Sequence, residues 1–389
     1  MANRSHRVLI PRTPEGIEGW GREILKGIAA YVQSGRPWEV RLVPSRFSAA
    51  EQIAHLEPDG VIAVVDRAQR VEAWTALGCP VVSVATTSAS PRLPCVAADE
   101  SAIGQLGAEH LIDRQFRQFG FVGYPGNPAS EAREQGFFRT VAGLPGAARH
   151  TFESTGAPGA EDAKNIKPFD EQLGAWLKQL TPPIGLMAWN DAAAAVLVQT
   201  CARIGLSVPE QVAVIGVNDD EAWCGFCVPP LTSVRPPLKR IGYEGAQLLA
   251  QLMEGEPVPS EPLLLPPEGV HVRRSTDVLA VDDPVVARAL RYIREHVSER
   301  INVADVVRHV RVSRRLLEDR FREHLGRSPL KEIHREQLRI ADHLLRTTNL
   351  PPKVIATRAG YRDVNHLTRV FSKERGLPPA TYRRECRME

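Results

Sequence analysis

Two groups of residues in this sequence are placed to do chemistry. The first follows short apolar runs directly: Arg12 and Thr13 after RVLIP, Asp66 after GVIAVV, Asn190 and Asp191 after IGLMAW, and Asn218, Asp219 and Asp220 after VAVIGV. Arg, Asn and Asp offer the paired donors and acceptors that adjacent sugar hydroxyls require, while an aromatic face covers the C–H side of the ring. Trp20, Trp189 and Trp223 lie close to strand ends and are candidates for that face, with core packing as the plainer role for each. Asp191 reads first as an N-cap, because an Ala-rich helix follows it. Asn218 and Asp219 precede no clear helix, which leaves them for a ligand.

The second group lies near the C-terminus, where a short helix, a tight turn and a second helix occur twice. In INVADVVRHVRVSRRLLEDRFREHLG, Val303, Val306, Val307 and Val310 form one face, Ser313 is an N-cap, and Leu316, Leu317 and Phe321 recur at helical spacing. In LPPKVIATRAGYRDVNHLTRVFSKERG, Val354, Ile355 and Ala359 precede Gly360, which suits a left-handed turn, and Leu367, Val370 and Phe371 form the next face. Pro329 to Arg346 reads as the connecting helix. The outward residues are Arg314, Arg315, Glu318 and Asp319 in the first unit, and Asp363, Asn365, His366, Thr368 and Arg369 in the second. A second helix of this kind enters the DNA major groove, where Arg reads guanine, Asn reads adenine and a carboxylate accepts from cytosine. Taken singly, each of these residues is equally at home on a solvated helix face. Their repetition in two matching units favours the DNA reading.

Other chemistries find no residues. There is no HExxH, no GxSxG, no phosphate-cradling Gly-rich loop and no metal-ligand spacing, so a sugar-modifying enzyme with a helical appendage lacks its machinery. No cofactor and no metal are expected. Of six cysteines only Cys224 and Cys227 form a CxxC pair, with no second pair or histidines at ligand spacing, so reduced thiols are expected. The longest apolar runs, such as Gly60 to Val65, fall far short of the roughly 20 residues a membrane-spanning helix needs. The start has an apolar run of only Val8 to Ile10, too short for a signal peptide, and a cytoplasmic protein is expected.

The elements that must hold these residues follow from the same pattern. Over about the first 275 residues, near-continuous Val/Ile/Leu runs alternate with helical segments, which indicates parallel sheets covered on both faces. Strands are expected at RVLIP, GVIAVV, PVVSVA, FGFVGY, IGLMAW and VAVIGV, with a last one within EPLLLPPEGVHV; helices at Ile17 to Val32, Ser101 to Ile112 and Ala192 to Ile204. Ligands of such sheets bind beyond the carboxyl ends of the strands, where the polar residues sit. After a linker at 276–283 the pattern is helical only. At 389 residues the chain exceeds one usual core, so a sensor at 1–275 and a separate domain at 284–389 are expected. From Val281 onward there are 24 Lys+Arg against 15 Asp+Glu, and 25 against 31 in the remainder. That asymmetry directs the terminal domain, not the body, toward a polyanion.

The terminal segment resembles the AraC family of DNA-binding domains over roughly Pro284 to Arg384, most strongly through AGY and LTRVFSKERGLPPATYR. The resemblance implies two recognition helices in successive major grooves and binding to direct repeats. Val307 and Arg311 depart from the pattern, standing where a small residue and Gly are usual. The body resembles the LacI-type sensors, which share the periplasmic sugar-binding-protein fold, through DESAIGQLGAEHLI, EAREQGF, GLSVPEQVAVIGVNDDE and PPLTSV. In that family the Arg of RxxGF, the Asn of the ND pair and an acidic residue after the strand-ending Gly contact the effector. Carried over, these are Arg133, Asn190 and Asn218, with Asn218 replacing the usual Asp and Asp219 beside it as the alternative. A LacI-like sensor ahead of an AraC-like reader is similar to the xylose-operon regulators. That likeness implies a pentose such as D-xylose as effector, a homodimer on operator DNA and RNA polymerase as a further partner. It leaves activation and repression both open.

Overall fold

Strands that are apolar on both faces need cover on both sides, and helices between parallel strands supply it. The structure, a computed structural model, describes every residue except 1–4, 12–18, 36, 45–48, 66–70, 86–92, 154–165, 258, 260, 279–282, 349 and 389. Arg12, Thr13 and Asp66 therefore lie outside the described residues. The first lobe is built from β1 (His6–Pro11), α1 (Gly19–Gln33), β2 (Trp38–Val43), α2 (Ala50–Ala54), β3 (Gly60–Ala63), α3 (Val71–Thr75), β4 (Val81–Ala85) and β5 (Cys95–Ala98). The second is built from α4 (Glu100–Ile112), β6 (Gln118–Gly123), α5 (Pro128–Ala142), β7 (Ala148–Glu153), α6 (Ile166–Leu177), β8 (Ile184–Ala188), α7 (Asp191–Arg203), β9 (Val212–Val217), α8 (Glu221–Phe226) and β10 (Thr232–Arg235). The chain then returns. α9 (Leu238–Met253) packs on α1 and the first sheet, β11 (Leu263–Leu265) pairs with β5, and β12 (Gly269–His271) pairs with β10.

The sheets have strand orders β11-β5-β4-β3-β1-β2 and β12-β10-β9-β8-β6-β7, and β12 alone among the described strands runs antiparallel to its neighbour. Central strands such as β3 and β9 are buried at every residue. The chain crosses between lobes near residues 99, 236 and 267. The single last strand expected from EPLLLPPEGVHV is thus two short strands in different sheets, because Pro266 and Pro267 interrupt the run and cannot donate to a ladder. No helix among the described residues is long and apolar enough to cross a membrane.

The chain divides into compact units between Asp277 and Val278. Among its described residues the second unit holds seven α-helices: α10 (Pro284–His296), α11 (Val303–Val310), α12 (Arg314–Leu325), α13 (Pro329–Thr347), α14 (Pro352–Arg358), α15 (Val364–Arg375) and α16 (Pro379–Met388). It has two small cores. Leu290, Ile293, Val306, Leu317 and Phe321 form one, and Leu345, Ile355, Tyr361, Leu367 and Phe371 the other, with α13 contributing Ile333 to the first and Ala341 to the second. Leu316, expected on the inner face of α12, is 40% exposed, since Leu317 and Phe321 already fill that face.

Candidate effector site and nucleic-acid interface

The carboxyl ends of β8 and β9 lie side by side in parallel register, so the residues that follow them share one rim of the second lobe. Asn190, not Asp191, caps α7: its backbone is extended and its side chain accepts from the Ala193 N–H at 2.8 Å. A cap must be the last non-helical residue, and Asp191 is already the first helical one. Asp191 is instead buried, accepting from Ser233 Oγ at 2.6 Å and from the Asp220 N–H at 2.8 Å. Burial, only partly offset by those donors, pushes its pKa up to about 7.

Arg133 projects from α5, whose own N-cap is Asn127. Its guanidinium is buried, pairing with Glu100 through Nε at 2.5 Å and donating to the Trp189 carbonyl at 2.5 Å. The structure thereby places Arg133 next to the residue before Asn190. Trp189 packs on Tyr124 with ring centroids 5.4 Å apart. Trp20 sits apart from these, lining an apolar hollow with Pro11, Ile62, Val64 and Val84 at the strand ends of the first lobe. Trp223, on α8, is 40% exposed.

After β9 the backbone turns left-handed twice, at Asn218 with φ 113° and Asp219 with φ 53°. Side chains rarely adopt such conformations, which persist only where surroundings enforce them and which gather at ligand sites. The three residues then diverge. Asn218 is half-buried, with its N–H on the Val234 carbonyl at 3.0 Å. Asp219 is engaged on all sides, by Arg273 at 2.7 Å, Arg235 at 2.8 Å and His271 at 3.0 Å. Burial works against its charge, but His271, Arg235 and Arg273 outweigh it and bring the pKa down to about 2. Asp220 caps α8 through Ala222 N at 2.9 Å and Trp223 N at 3.4 Å. Its other oxygen reaches the first lobe: a Cβ added at Gly19 would lie 1.8 Å from Asp220 Oδ2. The lobes meet this closely only because Gly19 has no side chain.

The thiols of Cys224 and Cys227 are free and buried, and burial pushes both pKa values up. Cys227 Sγ donates to the Trp223 carbonyl at 3.2 Å.

In the second unit Ser313 caps α12, accepting from Leu316 N at 3.2 Å, and Asp363 caps α15, accepting from His366 N at 2.8 Å. Arg314, Arg315, Asn365 and Arg369 are exposed, and Glu318 and Thr368 half-exposed. Arg314 pairs with Glu318 at 2.8 Å along the same helix. His366 is turned partly inward, its ring edge-on to Tyr361 at 5.5 Å and its Nδ1 buried without a partner. The turn before α12 is made by Arg311 at φ 58°, and the turn after α14 by Gly360 at φ 76°.

Family comparisons divide the chain along the same lines. The XylR N-terminal domain family matches residues 16–101, the periplasmic binding protein-like domain 108–276, and a helix-turn-helix domain 306–385. The xylose operon regulatory protein of Haemophilus influenzae is 30% identical over 94% of this chain and 96% of its own length. That of Escherichia coli K12 is 30% identical over 98% of each. The chain belongs to the xylose operon regulator family. A solved xylose-binding transcription activator superposes with a TM-score of 0.67 at 30% identity, covering 98% of this chain and 99% of that one. A cellobiose-bound regulator, at 20% identity, TM-score 0.58 and coverage of 71% and 86%, shows the sensor fold alone.

The chain is therefore a sugar-responsive transcription regulator, with a periplasmic-binding-protein-like α/β sensor and a helical DNA-binding domain. Its homologues are transcription regulators. Sequence reading of this regulator missed Glu100, Tyr124, Ser233, Arg235, His271 and Arg273, which surround the singled-out residues. Glu100 stood in view inside the DES motif. Tyr124 closed the FGFVGY run and Ser233 stood inside PPLTSV, whereas Arg235, His271 and Arg273 follow no strong apolar run.

Proposed function

We propose that this regulator binds D-xylose between its lobes and in response activates transcription of sugar-use genes, as a homodimer on direct repeats that also engages RNA polymerase. Arg133, Asn190 and Asn218 would hold the sugar hydroxyls, with Trp189 and Tyr124 walling one side. Asp66 would join them from the first lobe, and of the alternatives Asn218 and Asp219 the ligand would be Asn218, because Arg235, His271 and Arg273 already engage Asp219. Arg314, Arg315, Glu318, Asn365, Thr368 and Arg369 would face bases and phosphates, with Ser313 setting the start of the first reading helix and His366 supporting the second. The reading places the sensor at 1–275, the linker at 276–283 and the reader at 284–389, in a cytoplasmic protein without catalysis of its own. D-xylose is the effector favoured because the relatives spanning nearly the whole chain are xylose regulators.

The observation that carries the reading is the convergence of Arg133, Asn190 and the left-handed Asn218 at the ends of adjacent strands. The amide side chains of Asn190 and Asn218 suit vicinal hydroxyls, and little about the rim suits an apolar effector. Melting of the full chain against pentoses, hexoses and nucleobases tests it. D-xylose at a hundredfold excess over its Kd stabilises a binding protein by about 2.7 kcal/mol. We expect that gain for the wild type and its loss in Asn218→Ala. A shift from a nucleobase with none from any sugar would overturn the assignment.

A further inference from the structure

The last residues of the sensor are held by a buried polar network. Ser275 Oγ donates to the Val214 carbonyl at 2.6 Å and accepts from Thr232 N at 2.8 Å. Thr276 Oγ1 meets His110 Nε2 at 2.8 Å and Thr232 Oγ1 at 2.9 Å, while Arg114 Nε donates to its carbonyl at 2.7 Å. Ser275, Thr276 and Thr232 are completely buried. The exit of the sensor is thus built into the second lobe, and only residues 278–283 separate it from α10.

Arg273, with His271 beside it on Asp219, joins this exit to the effector rim. Arg273 donates to the Leu231 carbonyl at 2.9 Å, exchanges backbone bonds with the Thr232 hydroxyl at 2.9 and 3.0 Å, and closes on Asp219 at 2.7 Å. Asp219 follows Asn218 directly, and both have the left-handed backbone that a ligand on Asn218 would load. The Arg273 side chain is 18% exposed and that of Asp219 10%, so the pair is little screened by water.

We propose that the Asp219–Arg273 pair is a coupling element, positioning residues through which occupancy of the rim at Asn218 is conveyed to the segment that leads into the DNA-binding unit. This rests on the reading of the chain as a sugar-responsive regulator. Asp219 then serves the response and not the affinity for sugar. Coupling of this kind requires that both sites bias one element with two arrangements, and residues 218–219 with 271–276 are that element.

The test uses full-length protein, D-xylose by calorimetry, and a DNA duplex selected by the protein from a random pool. In the wild type, D-xylose changes duplex affinity by a factor within the roughly 5- to 150-fold range of such couplings. Asp219→Asn and Arg273→Ala are expected to bind D-xylose and duplex each within about threefold of wild type, with the effect of sugar on duplex affinity cut below about twofold; Arg273→Lys recovers part of it. Asp219→Asn keeps the size and hydrogen-bonding reach of the side chain, so it reports even where Arg273→Ala fails to fold. A hundredfold loss of D-xylose affinity in Asp219→Asn would make Asp219 a sugar ligand and overturn the proposal, as would wild-type coupling in either variant. A wild type whose duplex affinity ignores D-xylose would instead refute the effector reading itself.

Discussion

Arg311 and Gly360 occupy the same place in two successive helix-turn-helix units and are held there by different means. Arg311 adopts φ 58° with an exposed side chain, so its left-handed backbone costs about 1 kcal/mol that glycine would avoid. Gly360 adopts φ 76°, its carbonyl accepts from Gln337 Nε2 at 2.8 Å, and a Cβ there would sit 1.9 Å from the Val297 carbonyl. The reading faces differ in the same sense. On α12, Glu318 and Asp319 pair with Arg314 at 2.8 Å, Arg315 at 3.9 Å and Arg322 at 3.9 Å. On α15 no acidic residue occurs between Asp363 and Glu374. The second unit is a locked turn behind a basic face, and the first a tolerant turn behind a charge-balanced one. Affinity should therefore reside more in α15, while α12 is the unit able to adjust.

The comparison breaks most readily at Gly360. Gly360→Ala adds backbone strain and drives a methyl group into Val297, and unfolding of the full chain in urea should show a loss of about 3 kcal/mol confined to the DNA-binding unit. Arg311→Ala, tested in the same way, should change little. Next comes the pair of reading arginines. Arg369→Ala should weaken binding to the selected duplex by about 1–3 kcal/mol, and Arg315→Ala, whose charge Asp319 partly balances, by less. Equal losses would remove the distinction between the faces. Arg311→Gly should stabilise the first unit by about 1 kcal/mol, and a destabilisation would mean the arginine side chain holds that turn.

Acidity sharpens the contrast with the smallest effect. Burial, reinforced by the nearby His366, lowers the pKa of His334 on α13 below its ordinary 6.5. A depressed folded pKa gives stability that is full above 6.5 and is lost as the pH falls through the lowered value. Melting of the second unit should therefore decline below pH 6.5, and His334→Gln should remove that decline.

How much was legible in the sequence follows from burial. VAVIGV became β9 residue for residue because a central parallel strand is apolar throughout, and the α11 and α12 faces, Leu316 excepted, followed from their helical spacing. β2 and β7 left no such trace: each lies at a sheet edge and mixes exposed charged residues with apolar ones. β10 was hidden by its polar Thr232 and Ser233, buried because the exit segment satisfies them. At the site, residue types after the strands pointed to Asn190 and Asn218. The division of labour between Asp191, Asp219 and Asp220 depended on Ser233, Arg273 and Gly19, partners 42 to 201 residues away in the sequence that no local pattern connects.

The central claim is that one chain joins sugar occupancy to DNA reading, and a titration of the selected duplex with full-length protein in the presence and absence of saturating D-xylose tests it most directly. A change in affinity of at least about fivefold is expected, with a steep dependence on salt in both arms. Superimposable binding curves, with calorimetry showing D-xylose bound, would contradict it.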